Sequence, residues 1–260
     1  MKTVILCGGH GTRIRDVAEN IPKPMTPIGG RPILWHIMKY YAMFGFNEFV
    51  LCLGYKSEVI KDFFFNYETH SNDFTLTLGD KHSLVRHNTH SEDGWRITMA
   101  ETGLNAMTGA RVKRIEKYIG GDDCFMLTYG DGVGDVDIGK LLGFHRAHGK
   151  IATLTGVYPP GRFGELVIDN DGHVTGFNEK PQVSGGRING GFFVFNRSLF
   201  SYLNDDENLV LEQEPMKQLV ADGELMVFEH DGFWQPMDTS REYTLLNQLY
   251  TNHHAPWVKW

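Results

Sequence analysis

Four apolar residues, Val4-Ile5-Leu6-Cys7, run directly into Gly8-Gly9-His10-Gly11, and the stretch ends on Thr12-Arg13. Nothing else in the chain narrows the choice of fold as far. Glycines free the backbone for conformations closed to other residues, and several together let N–H groups converge on one anion. An apolar strand that empties into such a loop is either a phosphate cradle or a tight strand-to-helix turn. The rhythm then continues: Lys2–Cys7 reads as a buried strand, Pro32–Phe44 as a helix, Glu48–Leu53 as a strand and Glu58–Phe65 as a helix. Strands without clear alternation, joined by helices, predict a parallel sheet covered on both faces.

Beyond this, Thr108–Ile119 reads as a helix, Cys124–Tyr129 as a strongly apolar strand, Ile138–His148 as a helix and Ile151–Tyr158 as a strand. The expected class is α/β: a doubly wound, mostly parallel sheet. After Pro159-Pro160-Gly161 the texture changes to short strands, Glu165–Asp169, Val174–Asn178 and Gly191–Asn196, predicting an added mixed-sheet region. We expect a single domain over 1–260, made of a first part over 1–158 and a second over 159–260. The polar stretch Gly79–Gly94 interrupts the rhythm and reads as an excursion or contact loop. Ser240–Tyr250 reads as a closing helix, and Trp257 and Trp260 imply that the tail docks on the body or on another subunit.

Composition removes several classes of function. Among 260 residues the formal net charge is −7, so no basic face for nucleic acid or an anionic membrane is expected. No apolar run reaches the roughly 18 residues a membrane helix needs, and the N-terminus lacks a signal-peptide pattern. The expected location is the cytoplasm. Cys7, Cys52 and Cys124 each lie in an apolar run without CxxC spacing, so they read as core thiols. His82, His87 and His90 lack helical spacing or a partner cluster, which argues against a zinc site.

A Walker A loop needs a Lys-Ser or Lys-Thr after the glycines, and none follows Gly11. A dinucleotide fingerprint fails too, since its third glycine would fall on Ile14. What remains is Arg13 and, in "PKPM", a lysine between two prolines. Proline fixes its own φ and drives the preceding residue extended, so Lys23 sits on stiff backbone.

GGHGTR, PKPM and "IGGRPIL", followed by "YGDG", "NEKP", "NGGFFVF" and "FWQPMDT", resemble the sugar-1-phosphate nucleotidyltransferases over nearly the whole chain. "MTGARVKR", "PPGRFGEL" and "APWVKW" resemble the cytidylyltransferases within that family. The resemblance implies transfer of CMP from CTP to α-D-glucose 1-phosphate, giving CDP-glucose and pyrophosphate for deoxysugar and surface polysaccharide synthesis. It also implies Mg2+ and a homo-oligomer, typically a homohexamer.

By the same resemblance, Leu6, Gly8, Gly9, Gly11, Thr12, Arg13, Lys23, Thr108, Arg111 and Gly130 bind nucleotide, and Glu179, Lys180 and Asn189 bind the sugar phosphate. Arg13, Lys23 and Asp131 are the catalytic set, with Asp131 and Asp238 as metal ligands. Local chemistry agrees for Asp131, which ends an apolar strand where open α/β sheets bind ligands. Asp238 could instead cap the next helix. Thr108 and Arg111 could be ordinary capping and a solvated basic face, with Lys113 and Arg114 on that face. Asp135-Val136-Asp137 offers a DxD metal motif, but Asp137 as an N-cap with Asp135 solvated explains it better. Three rivals remain open: a UTP or dTTP enzyme, whose "GLAQA" signature is absent, a catalytically silent binding subunit, and a metal-dependent glycosyltransferase resting on the Asp135–Asp137 pair.

Overall fold

The structure is a computed structural model that describes residues 1–11, 21–79, 84–88, 90–161, 165–168, 173–178 and 186–260. Seven strands form one sheet: β1 (Thr3–Leu6), β2 (Glu48–Leu53), β3 (Arg96–Glu101), β4 (Cys124–Tyr129), β5 (Ala152–Val157), β6 (Ile188–Asn196) and β7 (Leu225–His230). Their order across the sheet is β7-β5-β6-β4-β1-β2-β3. Every neighbouring pair is parallel except those made by β6, which runs against both β4 and β5. The expected α/β class and mixed sheet are both present. β3 and β7 were not anticipated; they are the two edges.

Both faces of the sheet are buried, which is why its strands show so little polar alternation in the sequence. Ile5, Phe49, Leu51, Met126 and Val194 pack on one face, against α1 (Ile33–Met43) and α4 (Ile138–His148). Val4, Val50, Phe125, Leu127 and Phe193 pack on the other, against α3 (Thr108–Arg114) and α5 (Glu214–Ala221). Cys7 and Cys52 are fully buried and unpaired, as expected; burial pushes the Cys52 thiol up to about 12, outweighing the nearby Arg111 charge, which acts to lower it. Both stay protonated and inert.

Three sequence expectations need correction in detail. The helix expected over Thr108–Ile119 is two, α3 and a short turn Glu116–Ile119, broken at Ile115. Lys113 and Arg114 are not a solvated face: Lys113 Nζ pairs with Glu116, and Arg114 Nη1 donates to the Thr102 carbonyl at 2.6 Å. Asp137 does cap α4, accepting from the Lys140 N–H at 2.9 Å, but Asp135 is not solvated. Its Oδ1 lies 3.0 Å from His230 Nε2. Asp135 thus turns toward His230 while Asp137 caps its helix at the surface, so the two do not point at one shared centre.

The Gly79–Gly94 excursion contains the second strand of a hairpin, Phe74–Leu76 against Leu84–Arg86. Its base is pinned where Glu92 meets Lys39 of α1 at 2.5 Å, both buried. The closing helix α6 (Ser240–Thr251) leads into the tail, which docks on the body. Trp257 is fully buried, stacks on Phe233 and donates its indole N–H to His36 Nδ1 at 3.4 Å. His36 Nε2 meets the Ile28 carbonyl at 2.9 Å. Those two partners select one neutral tautomer, and burial pushes the His36 pKa down to about 4.

Candidate active site

At the carboxyl ends of β1 and β4 the sheet opens into a cavity of about 500 Å3. The glycine loop after β1, the end of β4 and the approach to α3 form its walls, the position that open α/β sheets reserve for ligands. Of the residues expected to bind nucleotide, Leu6, Gly8, Gly9, Gly11, Lys23, Thr108, Arg111 and Gly130 all line it. Thr12, Arg13, Glu179 and Lys180 lie outside the described residues.

Two glycines show why the loop is built as it is. A Cβ on Gly8 would fall 2.1 Å from Arg111 Nη1, so no side chain fits there. Gly11 adopts φ +59°, a left-handed conformation that favours glycine, where the loop passes Lys23.

Arg111 is a clamp. Its Nη1 donates to the Leu53 and Gly103 carbonyls and to Thr102 Oγ1, and its Nη2 to the Gly8 carbonyl, all at 2.8–2.9 Å. It therefore ties β2, the loop before α3 and the glycine loop together. Burial lowers its pKa from the usual arginine value, yet it stays cationic at neutral pH. A caged positive charge under the cavity favours an anion inside it.

Lys23 carries the strongest contacts of the site. Pro22 and Pro24 flank it, and a single tight turn over Lys23–Met25 closes through the Met25 N–H and the Pro22 carbonyl at 2.8 Å. Its ammonium lies 2.5 Å from Asp131 Oδ2 and 2.5 Å from Asp238 Oδ1. Burial alone would lower the lysine pKa; the two carboxylates more than offset it and the net shift is upward.

Asp131 and Asp238 meet for a local reason: Gly132–Gly134 pairs antiparallel with Trp234–Pro236, and the Met237 N–H donates to the Asp131 carbonyl. The capping ambiguity at Asp238 also resolves. Thr239 is the N-cap of α6, in a capping box with Glu242, which leaves the Asp238 carboxylate to Lys23.

The cation-binding chemistry can be judged from these contacts. Two carboxylate oxygens converge on one positive centre, and hard oxygen donors of this kind suit Mg2+. In this structure the Lys23 ammonium takes that place. The lysine side chain is 9% exposed and Asp131 34%, so the carboxylate can be reached from the cavity while the ammonium is held behind it.

A second group has metal-ligand spacing and corrects the reading of His90 as lacking a partner cluster. His90 Nε2 lies 3.2 Å from Glu68 and 3.7 Å from Asp93. Glu68 also takes Arg86 and the Asn72 amide, so its charge is already compensated within the protein.

Asn189, at the start of β6, does not line the cavity itself but donates at 3.1 Å to the hydroxyl of Tyr129, which does. Tyr129 in turn donates to Glu212. Neither Tyr129 nor Glu212 was singled out in the sequence. Tyr129 stands beside the "GDG" turn and could have been; nothing local marks Glu212.

Comparison with known proteins agrees with this geometry. Residues 2–252 match the nucleotidyl transferase family. The chain is 49% identical over 260 residues to a glucose-1-phosphate cytidylyltransferase of Salmonella typhimurium, each covered in full. It is 44% identical over 262 residues to a probable glucose-1-phosphate cytidylyltransferase of Bacillus subtilis, again covering all of both. Among solved structures, a putative glucose-1-phosphate thymidylyltransferase from Bacillus anthracis superposes with TM-score 0.70 at 17% identity. The match covers 100% of this chain and 97% of that one and is a likeness of fold. With a full-length relative at 49% identity and the glycine loop, Lys23 and Asp131 assembled at one cavity, the chain belongs to the nucleotidyl transferase family.

Proposed function

We propose that this enzyme transfers CMP from CTP to α-D-glucose 1-phosphate, forming CDP-glucose and releasing pyrophosphate. The observation that carries the reading is full-length similarity to cytidylyltransferases, in a chain whose cavity gathers the glycine loop, a caged arginine and a lysine between two carboxylates. The attacking oxygen of the sugar phosphate is already anionic at neutral pH, so no side chain need remove a proton. The barrier is then one of bringing two anions together in line and neutralising charge at phosphorus.

In this reading the N–H groups of the glycine loop hold the triphosphate over the positive Arg111. Lys23 releases its carboxylates and turns its ammonium to the α-phosphate, and Arg13 holds the departing phosphates with its forked donors. Asp131 and Asp238 would hold Mg2+, which when bound neutralises phosphate oxygens. Glu179, Lys180 and Asn189 receive the sugar phosphate. By the same reading residues 1–158 mainly serve the nucleotide and 159–260 the sugar phosphate and subunit contacts. We place the enzyme in the cytoplasm, in keeping with three free thiols, and its product in deoxysugar and surface polysaccharide synthesis.

We also propose that it works as a homohexamer. Leu76, Leu78, Leu84 and Val85, on and beside the hairpin, are between 42% and 87% exposed, an apolar surface suited to a second copy.

Pyrophosphate release, followed with each of the four nucleoside triphosphates and glucose 1-phosphate, tests the reaction. CTP is expected to give the highest kcat/KM. Faster turnover with UTP or dTTP would reassign the base, and none with any triphosphate would favour a silent binding subunit. Sedimentation velocity on the same preparation reads the assembly, and a stable, active monomer would remove the hexamer.

A further inference from the structure

Behind two residues that line the cavity, Tyr129 and Thr108, stands one carboxylate that bridges them, Glu212. Its Oε1 accepts the Tyr129 hydroxyl at 2.5 Å and its Oε2 accepts the Thr108 hydroxyl at 2.6 Å. Each partner leads to one substrate region. Tyr129 accepts from the Asn189 amide, whose own oxygen takes the Gly191 N–H at 2.9 Å, so one hydrogen bond links Glu212's partner to the start of β6. Thr108 opens α3, the helix that carries Arg111 to the glycine loop.

The one proton of the Thr108 hydroxyl is committed: it donates to Glu212, while the oxygen accepts the Leu211 N–H at 2.9 Å. It therefore shapes the cavity wall and is not a free donor to nucleotide. The segment before Glu212 splints the same helix, because the Glu207 carbonyl accepts the Met107 N–H and the Leu209 carbonyl accepts those of Gly109 and Ala110. Hydrogen bonds from hydroxyls to an ionised carboxylate are short and about twice as strong as neutral ones. Both oxygens of one rigid group thus fix two walls at once. Burial, reinforced by the nearby Glu212 charge, raises the Tyr129 pKa, so its proton stays available to the carboxylate.

We propose that Glu212 is a positioning residue that couples the two substrate walls, so that ordering of the nucleotide wall preorganises Asn189 for the sugar phosphate and the reverse. The inference rests on the two-substrate reading above and names a residue through which it works. Such coupling is reciprocal in binding free energy.

The test is steady-state kinetics and equilibrium binding on the full-length protein, using whichever nucleoside triphosphate the wild type turns over fastest. A failure of CTP then removes the base assignment and leaves Glu212 testable. Losing one such hydrogen bond corresponds to about a tenfold change in binding. Tyr129→Phe is expected to raise KM for the sugar phosphate about tenfold, and Thr108→Val to raise KM for the nucleotide by a similar factor. Glu212→Ala should raise both KM values more than kcat falls. It should also abolish the tightening of sugar phosphate binding that a non-reactive nucleotide analogue produces in the wild type.

Glu212→Gln, whose amide oxygen can accept one hydroxyl while its N–H donates to the other, should recover part of the loss. A Glu212→Ala protein with a lower melting temperature but unchanged KM values and intact coupling would overturn the proposal, as would a fall in kcat alone. If Glu212→Ala does not fold, the single variants decide: selective effects on one substrate each support the coupling, and equal effects on both overturn it.

Discussion

Asp131→Asn lowers kcat by about 10²–10³, the usual cost of one preorganised electrostatic contact at a reacting centre, and leaves the fold intact. The structure explains the second half of that expectation. Asn is nearly isosteric, and Lys23 keeps Asp238 at 2.5 Å, so the buried ammonium is never left without a carboxylate. Removing both partners in Asp131→Asn with Asp238→Asn is different, because an uncompensated buried charge costs about 3–5 kcal/mol. Single-turnover rates across a Mg2+ series, read beside the melting temperature, separate the two effects. The single variant should show lost turnover and weakened Mg2+ dependence at near-normal stability; normal turnover at low Mg2+ would remove Asp131 from the reaction.

Lys23→Met is expected to cut kcat by a similar factor of about 10²–10³ while tightening Mg2+ binding. With the ammonium gone, the two carboxylates still converge on the same point, and a divalent cation no longer competes with the lysine there. The opposite movement of the two quantities is what identifies the role. If Lys23 were only an internal counter-ion, Mg2+ would replace it and turnover would survive. His10→Ala serves as the control, since His10 lines the cavity and packs against Tyr55 with no part in the proposed chemistry. Collapse of that variant alone would overturn the assigned roles.

The elements that build the cavity floor were the easiest to read in the sequence. Thr3–Leu6 and Cys124–Tyr129 are apolar on both faces and stop at glycines, so their ends, and the loops that hold Gly8 and Asp131, were visible locally. The edge strands Arg96–Glu101 and Leu225–His230 were not, because an edge tolerates charged and polar residues that blur the pattern. Pairings between distant residues were hidden altogether. Lys23 is 108 residues from Asp131 and 215 from Asp238, and Glu212 is 83 from Tyr129; no periodicity spans such intervals. Lys23 and Asp131 could be picked singly by their settings, between prolines and after a strand, whereas Asp238 before a helix read as well as a cap and was picked by resemblance. That the lysine would stand between the two acids is a fact of tertiary structure.

The one reversed strand bears on how the chain reaches its native state. After β4 the backbone passes through α4 and lays β5 two places along, leaving a slot one strand wide that β6, thirty residues later in the chain, must enter from the opposite direction. During synthesis the facing edges of β4 and β5 therefore hold open hydrogen-bonding groups until Ile188–Asn196 has left the ribosome. Pairings across such sequence distances form slowly, and open edges meanwhile invite other strands. Phe192, Phe193 and Phe195 fill that slot and bury on both faces at once. The late arrival of this one aromatic strand means that the sheet closes only when the slot between β4 and β5 is filled.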